Sequence, residues 1–117
     1  MDRTKYLAAA SFAEPWLLAP RPVPERAGAE HGCSAQKAIY IVCDYAGAVV
    51  YVGSTSRSSY ATARRLSEHF KGPRCDGWST VWTVPLKEET PIEQVLRIEG
   101  LIGRYLRPRE NRRLPSL

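Results

Sequence analysis

Cysteine is scarce in this chain of 117 residues: only positions 33, 43 and 75 carry it, and no two of them form a C-x-x-C pair. An odd number of cysteines without metal-ligand spacing argues against a disulfide framework and against a zinc site. It favours a reducing compartment, so we expect a cytoplasmic protein.

Long apolar runs are also missing. No stretch approaches the roughly 18 consecutive apolar residues that a membrane-spanning helix needs. The segment 1–13 has a thin apolar run behind two basic residues, but Asp2 and the following Glu14-Pro15 pair make it a poor secretory signal. We therefore expect no membrane partner.

Positive charge is in excess, with 17 Lys and Arg residues against 12 Asp and Glu residues, which gives a net charge of +5. Hydrophobic residues at 44% and charged residues at 25% are ordinary for a globular chain. The length fits one domain with a single modest core. The positive charge favours a polyanionic partner such as nucleic acid.

The most regular stretch is 38–53, in which two runs rich in Val, Ile and Tyr flank a turn near Gly47. This pattern predicts a β-hairpin. A two-residue loop would place Tyr51 opposite Val42 and diagonal to Tyr40, whereas a four-residue loop would place Tyr51 opposite Tyr40. Either loop leaves both tyrosines on one face of the sheet, and a three-residue loop would separate them.

Residues 1–36 are predicted to form an N-terminal arm, in which Asp2 caps a short helix and a Pro-rich linker follows. The run 16–18 is too apolar for a free tail. Two interpretations remain open: this run covers part of the main body, or it docks a protein partner or a second copy of the chain. Residues 37–117 are predicted to form the main domain.

Beyond the hairpin, the sequence predicts a helix over 59–70, a strand over 78–84 and a helix that ends near position 107. The expected fold is therefore α/β in the broad sense (α+β). It has a three-stranded antiparallel sheet that opens with the hairpin and is flanked by helices.

Alternation along the strand over 78–84 predicts which side chains share a face of the sheet. Val81 is expected on one face. The opposite face is expected to carry Trp78, Thr80, Trp82 and Val84.

The last helix has a clear start signal, with Thr90 as N-cap, Pro91 in the first position and Glu93 closing a capping box. Its predicted inward stripe is apolar, apart from one carboxylate at Glu99. The apolar members of the stripe are Ile92, Val95, Leu96, Ile102 and Leu106.

Glu99 is the most informative residue of that helix, because an unpaired buried carboxylate is costly. Two interpretations remain open. Glu99 forms a salt bridge with an arginine of a neighbouring element, or it is a hard oxygen ligand for Mg²⁺, which needs few protein ligands.

Taken together, these residues resemble the GIY-YIG endonuclease family across roughly 38–114. The two signature triplets are matched by 38–40 (Ala-Ile-Tyr) and 51–53 (Tyr-Val-Gly), with Ala38 in place of the first glycine. The family's Arg-x-x-x-His on the first helix is matched by Arg65 and His69, and its metal-binding glutamate by Glu99. Its later asparagine is matched by Asn111.

The resemblance implies a metal-dependent DNA endonuclease that hydrolyses phosphodiester bonds. Glu99 would hold one divalent ion, Mg²⁺ or Mn²⁺. Tyr40 would be the general base, with Tyr51 positioning the water or sharing the role of base. Arg65 would steady the negative charge that develops on the phosphate.

Two further matched positions have supporting roles in this interpretation. His69 would orient the phosphate or tune Tyr40, and Asn111 would anchor local geometry or the DNA backbone. Basic residues near the site are either a solvated surface or contacts to DNA phosphates. The candidates for DNA contact are Arg57, Arg104, Arg107, Arg109, Arg112 and Arg113.

Two alternatives belong to other functional classes. One is a docking subunit that keeps the fold and binds DNA but does not cleave it. The other is a small interaction protein that binds another protein through Trp16 and Trp82. The complete set of family positions favours the nuclease over both.

The excess of arginine leads to a first prediction: affinity for DNA should fall steeply as salt concentration rises, because phosphate contacts release bound counterions. Fluorescence anisotropy of a labelled duplex, titrated at several salt concentrations, measures this slope. Affinity that stays flat across a wide salt range would contradict it.

Overall fold

The computed structural model describes residues 1–27, 37–55 and 77–109. The helix predicted over 59–70 lies outside these residues. The described elements are α1 (Arg3–Ser11), β1 (Glu25–Arg26), β2 (Lys37–Asp44), β3 (Val49–Thr55), β4 (Trp78–Leu86) and α2 (Ile92–Leu106). Neither of the helices in this part of the chain is long and apolar enough to cross a membrane.

The fold is α+β, with a four-stranded antiparallel sheet in the order β1-β4-β2-β3. The prediction of three strands was wrong by one short strand. Glu25 pairs with Val81 and Arg26 pairs with Thr80, so part of the predicted linker extends the sheet. A strand of two residues is too short to give an alternating pattern, and it forms because the outer edge of β4 needs backbone partners.

The N-terminal arm packs on the main body, which is the first of the two interpretations for the run 16–18. Its helix begins as predicted, since the Asp2 side chain accepts a hydrogen bond from the Lys5 N–H at 2.8 Å. The Leu18 N–H donates to the Pro85 carbonyl at 2.9 Å, and the Lys87 N–H donates to the Trp16 carbonyl at 2.8 Å. The arm therefore covers the edge of β4 beyond β1.

The two tryptophans of the proposed protein-binding surface are both packed. Trp82 is 5% exposed and belongs to the main hydrophobic core, and Trp16 packs against that core. Trp82 is therefore closed to a partner, whereas Trp16 stays partly exposed.

The predicted hairpin is present, and its loop is the three-residue one, 45–47. The Asp44 N–H donates to the Ala48 carbonyl at 3.0 Å, and the Gly47 N–H donates to the Asp44 carbonyl at 3.0 Å. Gly47 has φ of 84°, a conformation that glycine adopts without strain.

A β-bulge in β3 compensates for the odd loop length. Val42 pairs with Tyr51 while Cys43 pairs with Val49, so Val50 is the extra residue. The register beyond the bulge is the one expected for a two-residue loop. Both tyrosines therefore lie on one face of the sheet, as the sequence predicts for that register.

The sheet separates two apolar clusters. One face packs against α1 and α2, and its strand residues include Ile39, Ile41, Val52, Trp82 and Val84. The other face carries Tyr40, Val42, Val50, Tyr51, Trp78 and Val81.

The placement of Trp78 differs from the prediction. Alternation along β4 grouped it with Trp82, but Trp78 lies with Val81 on the opposite face. The register shifts between Cys43, which pairs with Thr80, and Asp44, which pairs with Trp78. The extra residue in β4 reverses the side on which Trp78 lies.

The start of α2 was predicted one residue early. Pro91 is the N-cap and makes no side-chain capping bond. Thr90 is buried instead, and its hydroxyl donates to the Lys87 carbonyl at 2.6 Å. The predicted end is confirmed within one residue, since the helix stops at Leu106 before the left-handed Arg107.

The buried stripe of α2 is also rotated from the predicted one. Ile92 and Leu96 are 58% and 43% exposed, whereas Ile98 is 3% exposed. Both stripes have helical spacing, so periodicity alone does not select between them. On the side of Ile98, α2 meets α1 through the rings of Tyr105 and Phe12, whose centroids lie 5.4 Å apart.

Replacing Asp44 with Ala should destabilise the hairpin turn. The Asp44 Oδ1 accepts hydrogen bonds from the Ala46 N–H at 2.9 Å and the Ala48 N–H at 3.0 Å. Losing both should lower the free energy of unfolding by about 1–2 kcal/mol, measured by urea denaturation. Tyr45→Ala is the control, because Tyr45 in the same turn is 84% exposed. A loss as large in the control would contradict the role of Asp44.

Candidate active site at the paired tyrosines

Tyr40 and Tyr51 form a stacked pair on the face of the sheet opposite the helices. Their ring centroids lie 6.0 Å apart, with an angle of 23° between the ring planes. Tyr40 is 2% exposed and Tyr51 is half-buried. Trp78 also contacts Tyr51, with ring centroids 5.3 Å apart and an angle of 31° between the ring planes. The structure thus brings together the two predicted catalytic tyrosines.

Gly53 makes room for the phenol end of Tyr40. The two residues pair across β2 and β3, and a Cβ atom at Gly53 would lie 2.5 Å from both Cζ and the hydroxyl oxygen of Tyr40. Any side chain at this position would displace the ring. This contact explains why position 53, two residues after Tyr51, is a glycine. It also directs the Tyr40 hydroxyl group towards β3, an edge strand of the described sheet.

Glu99 lies on the other side of the same edge strand. Helix α2 packs against β3, and the Glu99 carboxyl group forms a hydrogen bond with the side chain of Ser54. Ser54 follows Gly53 directly, so strand alternation places its side chain on the face opposite Tyr40. The Tyr40 phenol and the Glu99 carboxyl group therefore border adjacent residues of β3 from opposite faces.

Burial raises the pKa of the Glu99 carboxyl group above its ordinary value, and the hydrogen bond with Ser54 acts in the opposite direction. Among the described residues no arginine forms an ion pair with Glu99. The salt-bridge interpretation of Glu99 therefore gains no support within this part of the chain.

The donor set at Glu99 fits a hard cation. A half-buried carboxylate beside a hydroxyl group can hold Mg²⁺, which keeps several of its own waters and needs one or two carboxylates from the protein. The described segments contain no group of three or more His, Cys, Asp or Glu residues that would form a cage for a metal ion. Glu99 is thus the candidate ligand on the helix side of β3, beside Ser54.

The remaining family positions, Arg65, His69 and Asn111, lie outside the described residues, as do Arg57, Arg112 and Arg113 among the predicted DNA contacts. Arg104 and Arg107 are exposed at the end of α2. Arg109 approaches the hairpin turn, where its guanidinium group lies 3.6 Å from the Asp44 carboxylate. Its N–H also donates to the Val49 carbonyl at 3.4 Å, so Arg109 connects the end of α2 to the hairpin.

Two residues of the site were missed by sequence reasoning. Ser54 follows the second triplet directly, but the predicted hairpin ends at Gly53, whereas the strand continues to Thr55 and so places Ser54 on the α2 side. Trp78 was assigned to the wrong face because its stacking on Tyr51 depends on a bulge that β4 shows only in the sheet.

Replacing Glu99 with Gln should make stability less dependent on pH. Because the pKa of Glu99 is raised in the folded state, wild-type stability falls as the pH rises through that value. The variant should match wild type below about pH 4, where the unfolded carboxyl group is also protonated, and should be the more stable near pH 7. Urea unfolding in EDTA at both pH values measures the difference.

Glu89→Gln is the matched control for this prediction, because Glu89 is exposed in the loop before α2. The difference in unfolding free energy between Glu89→Gln and wild type should not grow with pH. A Glu99→Gln variant that is less stable than wild type near neutral pH would contradict the prediction, because it would show that the folded protein stabilises the charged form of Glu99.

Neither the protein-family models, nor the curated proteins, nor the solved structures that we searched gave a match to this chain. The likeness to the GIY-YIG family therefore depends on the residue pattern of the two triplets and the later family positions.

Proposed function

We propose that this protein is a metal-dependent DNA endonuclease of the GIY-YIG type. The observation that supports the proposal is the geometry around Gly53. The Tyr40 phenol lies over this glycine on one face, and the Glu99 carboxyl group meets Ser54 on the other. Phosphodiester hydrolysis requires a base and charge stabilisation, and these two groups border β3 from opposite faces, so the proposal requires a phosphate that meets both around the edge of this strand.

Tyr40 is the proposed general base, which takes a proton from the attacking water. Tyr51 stacks on it and positions that water. Glu99 would hold one Mg²⁺ or Mn²⁺ ion, which when bound supplies Lewis-acid stabilisation of the phosphate and of the leaving 3′ oxygen. Because the Tyr40 hydroxyl group points towards β3, an edge strand of the described sheet, the substrate approaches the phenol from that edge.

The other roles follow the family resemblance and are part of the proposal. Arg65 steadies the phosphate with its paired donors, His69 orients it, and Asn111 anchors the local backbone. Arg104 and Arg107, both exposed at the end of α2, contact the DNA backbone. Arg109 contacts both the DNA backbone and the Asp44 carboxylate.

A second candidate is the docking subunit that binds DNA without cleaving it. The observation that favours it is the burial of Tyr40, which leaves 2% of the residue exposed. In this alternative, the two stacked tyrosines stabilise the sheet, and Glu99 serves packing and its bond with Ser54.

Cleavage of supercoiled plasmid tests the proposal directly. Wild type should nick the plasmid with Mg²⁺ or Mn²⁺ and should not nick it in EDTA. Glu99→Ala should abolish nicking, and Tyr40→Phe should slow it by about 100-fold or more, as expected for loss of a general base. Gel quantification of nicked plasmid over time gives the rates.

Glu89→Ala is the control for loss of an acidic residue and should cleave like wild type. Near-normal cleavage by Tyr40→Phe would remove Tyr40 as the base. A well-folded wild type that binds DNA in a salt-dependent way but never nicks it would favour the docking subunit.

A further inference from the structure

Within the described segments, two buried hydroxyl groups on the tyrosine face of the sheet lack hydrogen-bond partners. Thr55 and Thr83 are 5% and 4% exposed, and the Oγ1 atom of each is unpaired. Buried polar atoms in native proteins almost always bond to another protein group or to an ordered water. Each of these hydroxyl groups therefore calls for a partner.

The position of Thr55 relative to Tyr40 identifies the partner. Thr55 and Gly53 are two residues apart on β3 and face the same way, about 7 Å apart along the strand. The Tyr40 hydroxyl oxygen lies 2.5 Å from the Cβ position of Gly53. The two hydroxyl groups therefore neighbour one another along the edge strand.

A single water can bridge hydroxyl groups at neighbouring same-face positions of a strand, because its two hydrogen bonds span about 5.5 Å between oxygen atoms and such positions are about 7 Å apart. Ala38 pairs with Thr55 across β2 and β3 and contributes only a methyl group on this face. A larger residue at position 38 would fill the same region.

We propose that a buried water site links the hydroxyl groups of Thr55 and Tyr40. The Thr55 hydroxyl donates to the water, and the water donates to the Tyr40 oxygen. A phenol oxygen has two acceptor positions as well as its own proton, so this bond is compatible with the other interactions of Tyr40.

The consequence for catalysis rests on the proposed nuclease function. A hydrogen bond to the phenolate form of Tyr40 favours that form, which is the one that acts as a base. Thr55 is then a positioning residue, acting on Tyr40 through the water. Thr83 is the matched comparison because its hydroxyl is equally buried but lies on β4, on the side of Tyr40 away from Gly53.

A double-mutant cycle on thermal stability tests the water site without any activity assay. Thr55→Val keeps the shape of the side chain and removes its hydroxyl. In the wild-type background it should lower the melting temperature by about 4 °C. In a Tyr40→Phe background the water has already lost one partner, so the same substitution should lower the melting temperature by less than half of that amount. Thr83→Val should give the same shift in both backgrounds.

The outcome that overturns the site is additivity. If Thr55→Val changes the melting temperature equally in both backgrounds, whether upwards or downwards, the two hydroxyl groups share no water. A rise in melting temperature in both would show that the Thr55 hydroxyl is simply unpaired.

The catalytic consequence has a separate readout. With plasmid as substrate, Thr55→Val should reduce kcat at least about tenfold while KM stays constant, and should move the rise of activity to higher pH. Thr55→Ser, which restores the hydroxyl, should recover the wild-type pH profile. Unchanged kcat and pH profile in Thr55→Val would overturn the positioning role.

The two proposals fail in different ways. Coupling between Thr55 and Tyr40 in a protein that never cleaves DNA would leave the water site in place and remove the nuclease. Cleavage by wild type together with additive stability effects would leave the nuclease in place and remove the water site.

Discussion

The pairing of β2 with β3 is the constraint on which the rest of the candidate site depends. A three-residue loop closed by Gly47 would on its own place the two tyrosines on opposite faces, and the bulge at Val50 restores the face that they share. Once that register is set, Tyr40 falls opposite Gly53 and its ring has space to lie across the edge strand. Stacking with Tyr51 and the position of Ser54 follow from the same pairing.

The N-terminal arm supports this arrangement from the other side of the sheet. Tyr6 is fully buried, stacks on Trp82 with ring centroids 5.3 Å apart, and donates its hydroxyl to the Thr83 carbonyl at 2.6 Å. The arm and β1 together cover the outer edge of β4, so the backbone groups there are paired. The sheet is thereby covered at β4, while β3 stays an edge strand of the described sheet at the candidate site.

In the proposed function, the burial of Glu99 sets stability against chemistry, as is typical of functional sites. Its carboxyl group is partly withdrawn from water, which disfavours the charged form that a metal ion requires, and Ser54 compensates only in part. A bound cation would reverse this balance, since it favours the carboxylate. This conflict is a physical reason to regard Glu99 as more than a packing residue.

By itself, the sequence determined the hairpin, the Asp2 cap, the end of α2 near Arg107, the strand around Trp82 and the helical position of Glu99. These features follow from local alternation, turn residues and helical periodicity, which a short window contains. Only the tertiary structure decided the face of Trp78, the burial of Ile98 in place of Leu96 and the strand at 25–26. Bulges, helix rotation and edge pairing depend on contacts between distant segments, and local patterns fit more than one of the possible outcomes.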